Sequence, residues 1–209
     1  MRISIIGILA CSLFAESLYG QVRYEVPGKF DFAKIDISGK SILPSGRIVA
    51  PAGELKMITR APYGLAISHD GRTAVVLHNN AISVVDLQAS EMQVSRYPSY
   101  DGKNKDIIKG ASFIGACFSS DNKRVFLSGG DKGKVWVFDV EAKCLVDSFD
   151  LNLAHPESNN EAFATDLVLD EVNDDLWVLD RAWFQLHRFS LKTHQIKASI
   201  PTGRIPFGI

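Results

Sequence analysis

The chain of 209 residues carries 23 Lys and Arg against 24 Asp and Glu, which gives a formal net charge of −1. Hydrophobic residues make up 46% of the chain and charged residues 22%, a composition typical of a globular protein. This charge balance argues against a nucleic-acid partner, because a nucleic-acid surface needs a basic stripe that neutralises phosphates. The length suffices for one or two ordinary domains.

Residues 1–20 have the pattern of a secretory signal peptide. Arg2 is the charged start, residues 3–14 form the apolar segment, and Gly20 is the small residue at its end. The apolar segment is too short to cross a bilayer, so no membrane span is expected. The pattern predicts export to the periplasm or the extracellular space. A buried N-terminal helix and lipid attachment at Cys11 are the alternatives.

After a lead-in segment over residues 21–53, the clearest pattern is a series of short strands. Apolar and β-branched runs predict strands at 64–68 and 73–78, on either side of a turn in which Gly71 can take a positive φ. Further strands are predicted at 82–87 and 92–97. Together these four strands form one repeat unit.

The same unit returns along the chain. Gly64 is followed after 51 residues by Gly115, and Gly115 after 50 residues by Thr165, while residues 205–209 open another copy. A period of roughly 40–50 residues with four short strands per unit is the signature of a β-propeller blade. The sequence therefore predicts an all-β partial propeller over 54–209, built from about three four-stranded antiparallel blades and the start of a fourth. The predicted bounds are 62–98, 112–150 and 162–202 for the blades and 204 for the start of the fourth, with an outer strand of a preceding blade at 54–60.

The repeat resembles a known family. Residues 63–71 are similar to the aromatic-Gly-Leu-Ala-x-Ser-x-Asp-Gly opening of the YVTN-type, YncE-like bacterial β-propeller repeats. The third strands at 82–87 and 135–140 are similar to that family's third strand, which ends in Asp. Residues 200–209 resemble its link between blades, whereas the third copy departs from the pattern at 171–174.

The resemblance implies that the chain is the N-terminal part of a longer protein. Propellers of this family have about seven blades, more than this chain provides. Residues 43–53 also look like the lead-in of exported bacterial proteins in which such a propeller is fused to a phosphoesterase domain. Any phosphoesterase active site would then lie beyond Ile209.

Two cysteines fall in the second copy, Cys117 on its first strand and Cys144 at the start of its fourth. Neighbouring strands lie about 4.8 Å apart, so the first and fourth strands are separated by about 14 Å, beyond the reach of a disulfide. Both cysteines are predicted to be small core residues.

A shallow ligand-binding surface is predicted at the mouth of the propeller's central channel. The prediction rests on aromatic and charged side chains near the strand starts and in the loop after the second strand of the third copy. Ordinary packing and solvated loops are the competing explanation. The residues of this candidate surface are Tyr63, Phe113, Phe163, Asp166, Asp180, Arg181 and Trp183.

The remaining polar residues are expected to have structural rather than catalytic or metal-binding roles. Aspartates recur in phase at strand ends and are expected to bond the turn backbone, at Asp70, Asp86, Asp121 and Asp139. The five histidines have no ligand spacing, and there is no Gly-x-Ser-x-Gly motif. No catalytic residue, metal site or cofactor is predicted.

The sequence therefore favours a non-catalytic exported propeller that acts as a binding or scaffold module for an unknown small ligand, a cell-wall component or an adjacent domain. The alternative is a propeller enzyme of the lactonase type, in which only Asp166 stands at a matched inner-strand position where it could bind a channel metal. An intracellular WD-type scaffold is disfavoured by the signal segment.

Overall fold

The computed structural model describes residues 25–37, 39–98 and 114–209. This part of the chain is all-β, with fourteen strands and one short 3-10 helix at Leu151–Ala154. In the same residues, no helix is long and apolar enough to cross a membrane. The predicted signal peptide and Cys11 lie outside the described residues. The chain forms two compact units, Met1–Met57 and Ile58–Ile209.

The described residues of the first unit contain a small antiparallel sheet of β1 (Ser41–Ile42) and β2 (Ile48–Val49). Gly46 in the connecting turn has φ +74°, and a Cβ there would lie 2.6 Å from a methyl group of Val26. Glycine is therefore required at this position. Residues 54–60, predicted as an outer strand of a preceding blade, form no strand in the described structure.

The second unit consists of three four-stranded antiparallel sheets, each with its strands in chain order. We call them the first, second and third blades. The first blade contains β3 (Gly64–Ile67), β4 (Thr73–His78), β5 (Ala81–Asp86) and β6 (Gln93–Tyr97). The second contains β7 (Ala116–Phe118), β8 (Arg124–Ser128), β9 (Lys134–Asp139) and β10 (Cys144–Asp150). The third contains β11 (Ala164–Asp170), β12 (Asp175–Asp180), β13 (Gln185–Ser190) and β14 (Ile196–Pro201).

The blades pack face to face, which explains why several strands are apolar on consecutive residues. In β4 both Val75 and Val76 are buried although their side chains point to opposite faces of the sheet. One core lies between the first and second blades and is built around Leu77, Ile82, Leu127 and Phe138. A second core contains Phe126, Phe149, Leu176 and Phe189 of the second and third blades.

The innermost strands of neighbouring blades approach each other closely. β3 contacts β7, and β7 contacts β11. A Cβ on Gly64 would lie 2.2 Å from the carbonyl oxygen of Ile114, and one on Gly115 would lie 2.8 Å from Cα of Asp166. The Gly115 N–H also donates to the Thr165 carbonyl at 3.0 Å. These contacts confirm that the first strands carry small residues because backbone meets backbone there.

The recurring aspartates cap turns, as predicted. Asp70 Oδ1 accepts the Ser68 hydroxyl at 2.6 Å and the Arg72 N–H at 3.0 Å, and these bonds hold the pKa of this carboxyl below its usual value. Asp121 Oδ1 accepts the Ser119 hydroxyl at 2.6 Å in the same way. Asp86 and Asp139 accept backbone N–H groups from the turns that follow their strands.

Side chains in these turns also join one blade to the next. The His69 N–H in the first blade donates to Asn122 Oδ1 of the second at 2.7 Å. The Ser120 N–H in the second blade donates to Glu171 Oε2 of the third at 2.9 Å. The divergent turn of the third copy, at 171–174, therefore still supplies the acceptor that this position needs.

The two described cysteines are both free thiols, as the predicted strand separation requires. Cys117 is partly buried, and burial, followed by the charge of Asp166, raises the pKa of its thiol to about 12. The prediction that Cys144 is a core residue is wrong. It begins the outer strand β10, where the side chain is exposed to solvent.

We predict that Gly115→Ala destabilises the protein by about 1–3 kcal/mol, the usual cost of inserting a methyl group where there is no room for it. Gly203→Ala is the matched control, because nothing lies within 4 Å of a Cβ at that position. Urea unfolding of both variants checks the comparison, and equal stabilities would contradict the close approach of the inner strands.

Candidate functional site

Four of the predicted site residues come together at the connection between β12 and β13 of the third blade. Phe163 precedes β11, Asp180 ends β12, and Arg181 and Trp183 lie in the turn that follows. Asp166 is on β11 of the same blade, and Tyr63 is half-exposed beside β3 of the first blade. Phe113 lies outside the described residues.

Asp180 holds this turn in place. Its side chain is completely buried, and Oδ1 accepts three backbone N–H groups, from Phe163 at 3.1 Å, Ala182 at 2.9 Å and Trp183 at 3.3 Å. A buried carboxylate needs such partners, because an unpaired charge in the interior is very costly. The carboxylate itself is therefore not part of the exposed surface. It fixes the turn whose other residues form that surface.

The other oxygen of Asp180 begins a polar row that crosses the blade. Oδ2 lies 3.4 Å from Nε2 of the fully buried His187, and Nδ1 of His187 lies 2.9 Å from the Ser199 hydroxyl on β14. Nε2 can donate to the carboxylate, and Nδ1 shares a hydrogen bond with the hydroxyl, so both ring nitrogens have a partner. The row joins β12, β13 and β14 through side chains.

A corresponding row is present in the first blade. His78 ends β4 as Asp180 ends β12, and its Nε2 lies 2.9 Å from the Ser83 hydroxyl on β5. Burial lowers the pKa of His78, although the backbone carbonyls of Arg60 and Ala61 oppose this shift. Because the row recurs at the same place in two blades, we interpret it as a cross-strand structural link rather than as a nucleophile with its base. Sequence reasoning missed it, although His78 and Asp180, like Ser83 and His187, are in phase with the repeat.

Above this buried row, the turn presents two aromatic contacts to solvent. The Trp183 ring stacks on His155 with centroids 4.1 Å apart and 21° between the planes, and His155 Nε2 lies 3.2 Å from Gln185 Oε1. The Arg181 guanidinium lies 5.9 Å from the centre of the Phe163 ring. All four side chains of the two contacts are partly buried. Sequence reasoning did not identify His155, because the distant segment that carries it contains no recognisable motif.

A cleft of about 290 Å³ lies next to the Trp183–His155 stack. Its lining is mostly polar and comes from the segment after β10, namely Asn152, Leu153, His155, Pro156, Ser158, Asn159, Asn160 and Glu161. Asn152 is a structural member, since its amide donates to Asp150 and its Oδ1 accepts the Ala162 N–H at 2.8 Å. Aromatic rings beside amide and hydroxyl groups suit a polar ligand with an apolar face.

Asp166 and Tyr63 lie apart from this cluster. Asp166 Oδ1 accepts the Leu167 N–H at 2.9 Å, and Oδ2 accepts the Ile209 N–H at 3.1 Å. Across the described ranges, no group of three His, Cys, Asp or Glu side chains is placed to hold a metal ion. Tyr63 borders a separate, mainly apolar hollow of about 270 Å³ with Ile58 and Leu65.

Comparison with known proteins identifies the fold. No protein-family model matches the chain, and no curated protein matches it in sequence. Among solved structures, it is similar to the hydrazine synthase of Kuenenia stuttgartiensis, with a TM-score of 0.55 and 11% identity over 77% of this chain. It is also similar to the WD40 repeats of RRP9, with a TM-score of 0.52 and 9% identity over 70% of this chain. The chain is a partial β-propeller.

These similarities at low identity concern the fold alone. The matched region covers 41% of the hydrazine synthase chain and 40% of the RRP9 chain, so this chain spans about two fifths of the length of either structure. Its three blades form an arc rather than a closed ring, as the sequence predicts.

We predict that Asp180→Ala loosens the turn that carries Trp183. Amide exchange at Phe163, Ala182 and Trp183 should become roughly 10-fold faster or more, because each N–H loses its buried acceptor. Asp139→Ala is the matched control, since that carboxylate caps a turn of the second blade. Hydrogen exchange followed by mass spectrometry measures the effect. Unchanged protection in Asp180→Ala would contradict the anchoring role.

We also predict that His78 makes the protein less stable in mild acid. The pKa of His78 is lowered in the folded state, so the unfolded chain takes up a proton below about pH 6.5 before the folded chain does. The contribution of His78 to the free energy of unfolding is therefore present above that pH and is lost as the pH falls. His78→Gln should flatten the dependence of unfolding free energy on pH between about 5 and 7. Urea titrations at several pH values test this, and identical slopes would exclude it.

Proposed function

We propose that the chain is a non-catalytic ligand-binding module, with its binding surface at the β12–β13 turn of the third blade. The observation that carries the proposal is the pair of half-buried aromatic contacts, Trp183 on His155 and Arg181 over Phe163, beside a polar cleft. The buried carboxylate of Asp180 holds this surface rigid in advance, which reduces the entropic cost of binding.

The chemistry of this surface favours a cell-wall glycan as the ligand. A sugar ring can stack on Trp183, while Ser158, Asn159 and Asn160 offer hydrogen bonds to its hydroxyl and amide groups. Export, which the N-terminal signal pattern predicts, would bring the protein to such a ligand.

We further propose that the module belongs to a longer protein of the YVTN-type, YncE-like family, in which further blades complete the ring. Support comes from side chains at equivalent positions of the repeat. Ile67 on the free face of the first blade is 55% exposed, whereas Phe118 at the same position of the second blade is 5% exposed. Likewise, Leu65 is 60% exposed and Leu167 of the third blade 5%. A neighbouring blade would bury the exposed pair.

The alternative is a lactonase-type enzyme, or a propeller attached to a C-terminal phosphoesterase domain. A lactonase-type site would need a metal bound near the inner strands, and Asp166 on β11 is the carboxylate at that place. Among the described residues, no group of three His, Cys, Asp or Glu side chains that could hold a metal ion forms around Asp166. This arrangement favours the non-catalytic function.

Co-sedimentation of the full-length protein with purified peptidoglycan tests the proposed function. We expect binding by the wild type and a loss of at least about 10-fold with Trp183→Ala or Arg181→Ala, because central aromatic and Arg anchors carry most binding energy. Val172→Ala, an exposed position in the turn between β11 and β12, is the control that should bind normally.

Absence of wild-type binding, or equal binding by Trp183→Ala, would overturn the proposed site. Metal analysis of the same protein addresses the enzyme alternative. Stoichiometric calcium or zinc that disappears in Asp166→Ala would favour the lactonase-type enzyme over the binding module.

A further inference from the structure

Two grooves open where the outer strand of one blade meets the last hairpin of the next. The groove between the first and second blades has a volume of about 580 Å³, and the one between the second and third blades about 340 Å³. Both occupy the same place in the repeat, so residues at equivalent positions of the two blades can be compared.

In the groove between the second and third blades, a contact between a histidine and a carboxylate crosses from one blade to the other. His194 lies in the turn between β13 and β14 with φ +58°, and its Nε2 is 3.2 Å from Asp147 Oδ2 on β10. The His194 ring also packs on Phe149, with centroids 4.4 Å apart. A carboxylate of one blade thus meets a basic side chain of the next.

In the groove between the first and second blades, the basic residue is retained but the carboxylate is missing. Lys143 is the counterpart of His194, since it also has φ +58°. Its N–H donates to the Asp139 carbonyl, as the His194 N–H donates to the Ser190 carbonyl in the equivalent turn. Ser95 is the counterpart of Asp147, because they pair with Val84 and Val137 at equivalent register. In the described part of the chain, no carboxylate forms an ion pair with the Lys143 ammonium.

The other lining groups of this groove suit a polyhydroxylated molecule. Asp86 Oδ1 accepts the N–H groups of Gln88 at 2.8 Å and Ala89 at 3.3 Å, whereas Oδ2 bonds to no group of the described residues and can accept a hydrogen bond from a ligand hydroxyl. The side chains of Gln88 and Gln93 add amide donors and acceptors. Val84, Tyr97 and Val140 form the apolar part of the wall, and Arg72 adds a second positive charge.

We propose that this groove is a second binding site, separate from the β12–β13 surface, and that it takes a sugar that carries a carboxylate. The ligand carboxylate pairs with Lys143, as Asp147 pairs with His194 in the neighbouring groove. The ring hydroxyls bond to Asp86, Gln88 and Gln93, and the apolar face of the ring lies against Val84 and Val140. A groove of about 580 Å³ accommodates a mono- or disaccharide.

Isothermal titration of the full-length protein with galacturonic acid and its dimer tests the proposal. We expect both to bind, and neutral galactose to bind at least about 10-fold more weakly, because it lacks the carboxylate whose charge-assisted pair with Lys143 supplies about 1.4 kcal/mol or more. Inorganic phosphate is a further probe. If phosphate binds as tightly as the uronate, the groove is a general anion site and the assignment to a sugar is overturned.

Substitutions at Ser95 test directly whether the ligand carboxylate binds where Asp147 lies in the neighbouring groove. Ser95→Asp restores the carboxylate found at Asp147, so it should pair with Lys143 and weaken uronate binding at least about 10-fold. Ser95→Asn has the same shape without the charge and should bind as the wild type does. Equal uronate affinity in these two variants would overturn the proposal, as would a wild type that binds no uronate.

Lys143→Gln should also abolish uronate binding, whereas His194→Gln in the neighbouring groove should not change it. Thermal unfolding without ligand checks the geometry independently of affinity. Ser95→Asp should unfold at a higher temperature than Ser95→Asn at low salt, and the difference should vanish at high salt because the ion pair is screened. A lower temperature for Ser95→Asp at low salt would show that Lys143 does not face residue 95.

Discussion

The close approach of the inner strands determines the rest of this architecture. At Gly64 and Gly115, backbone of one blade touches backbone of the next, which leaves no room for a side chain. Strands in a sheet are about 4.8 Å apart and sheets pack about 10 Å apart, so blades that touch at their inner edges must spread towards their outer edges. The two outer grooves are the consequence of this divergence. The glycines that permit the tight centre thereby create space at the rim.

The elements that could be predicted from the sequence are those encoded by local chemistry and repeated in phase. The strand from Thr73 to His78 was predicted with its observed bounds, because a β-branched run between two turns has few alternatives. The turn caps at Asp70 and Asp121 were also predicted, since their partners lie within a few residues. The position of Cys144 was not, because its exposure depends on whether another element covers the outer strand.

Most of the candidate site depends on contacts between distant segments. Trp183 and Arg181 were predicted from the loop that carries them, but the stack of Trp183 on His155 joins residues that no periodic pattern relates. Asp180 was predicted as part of the surface, and its complete burial reflects the three N–H groups that converge on it from two segments. Sequence reasoning identified the right loop and did not reveal how its members divide into buried and exposed groups.

A repeat allows structural requirements to be separated from local additions, because each blade serves as a control for the others. The acceptor for the inter-blade N–H is an amide at Asn122 and a carboxylate at Glu171, so the fold requires only an oxygen at that point. The pair of Asp147 and His194 has no such equivalent, since Ser95 and Lys143 are the residues at these positions of the other groove and the blades still pack. A contact that one interface makes and another lacks is not a general requirement for packing two blades. Because no carboxylate of the described residues pairs with Lys143, this lysine can bind the ligand that we propose, and the departure from the repeat, rather than the repeat itself, points to the proposed second site.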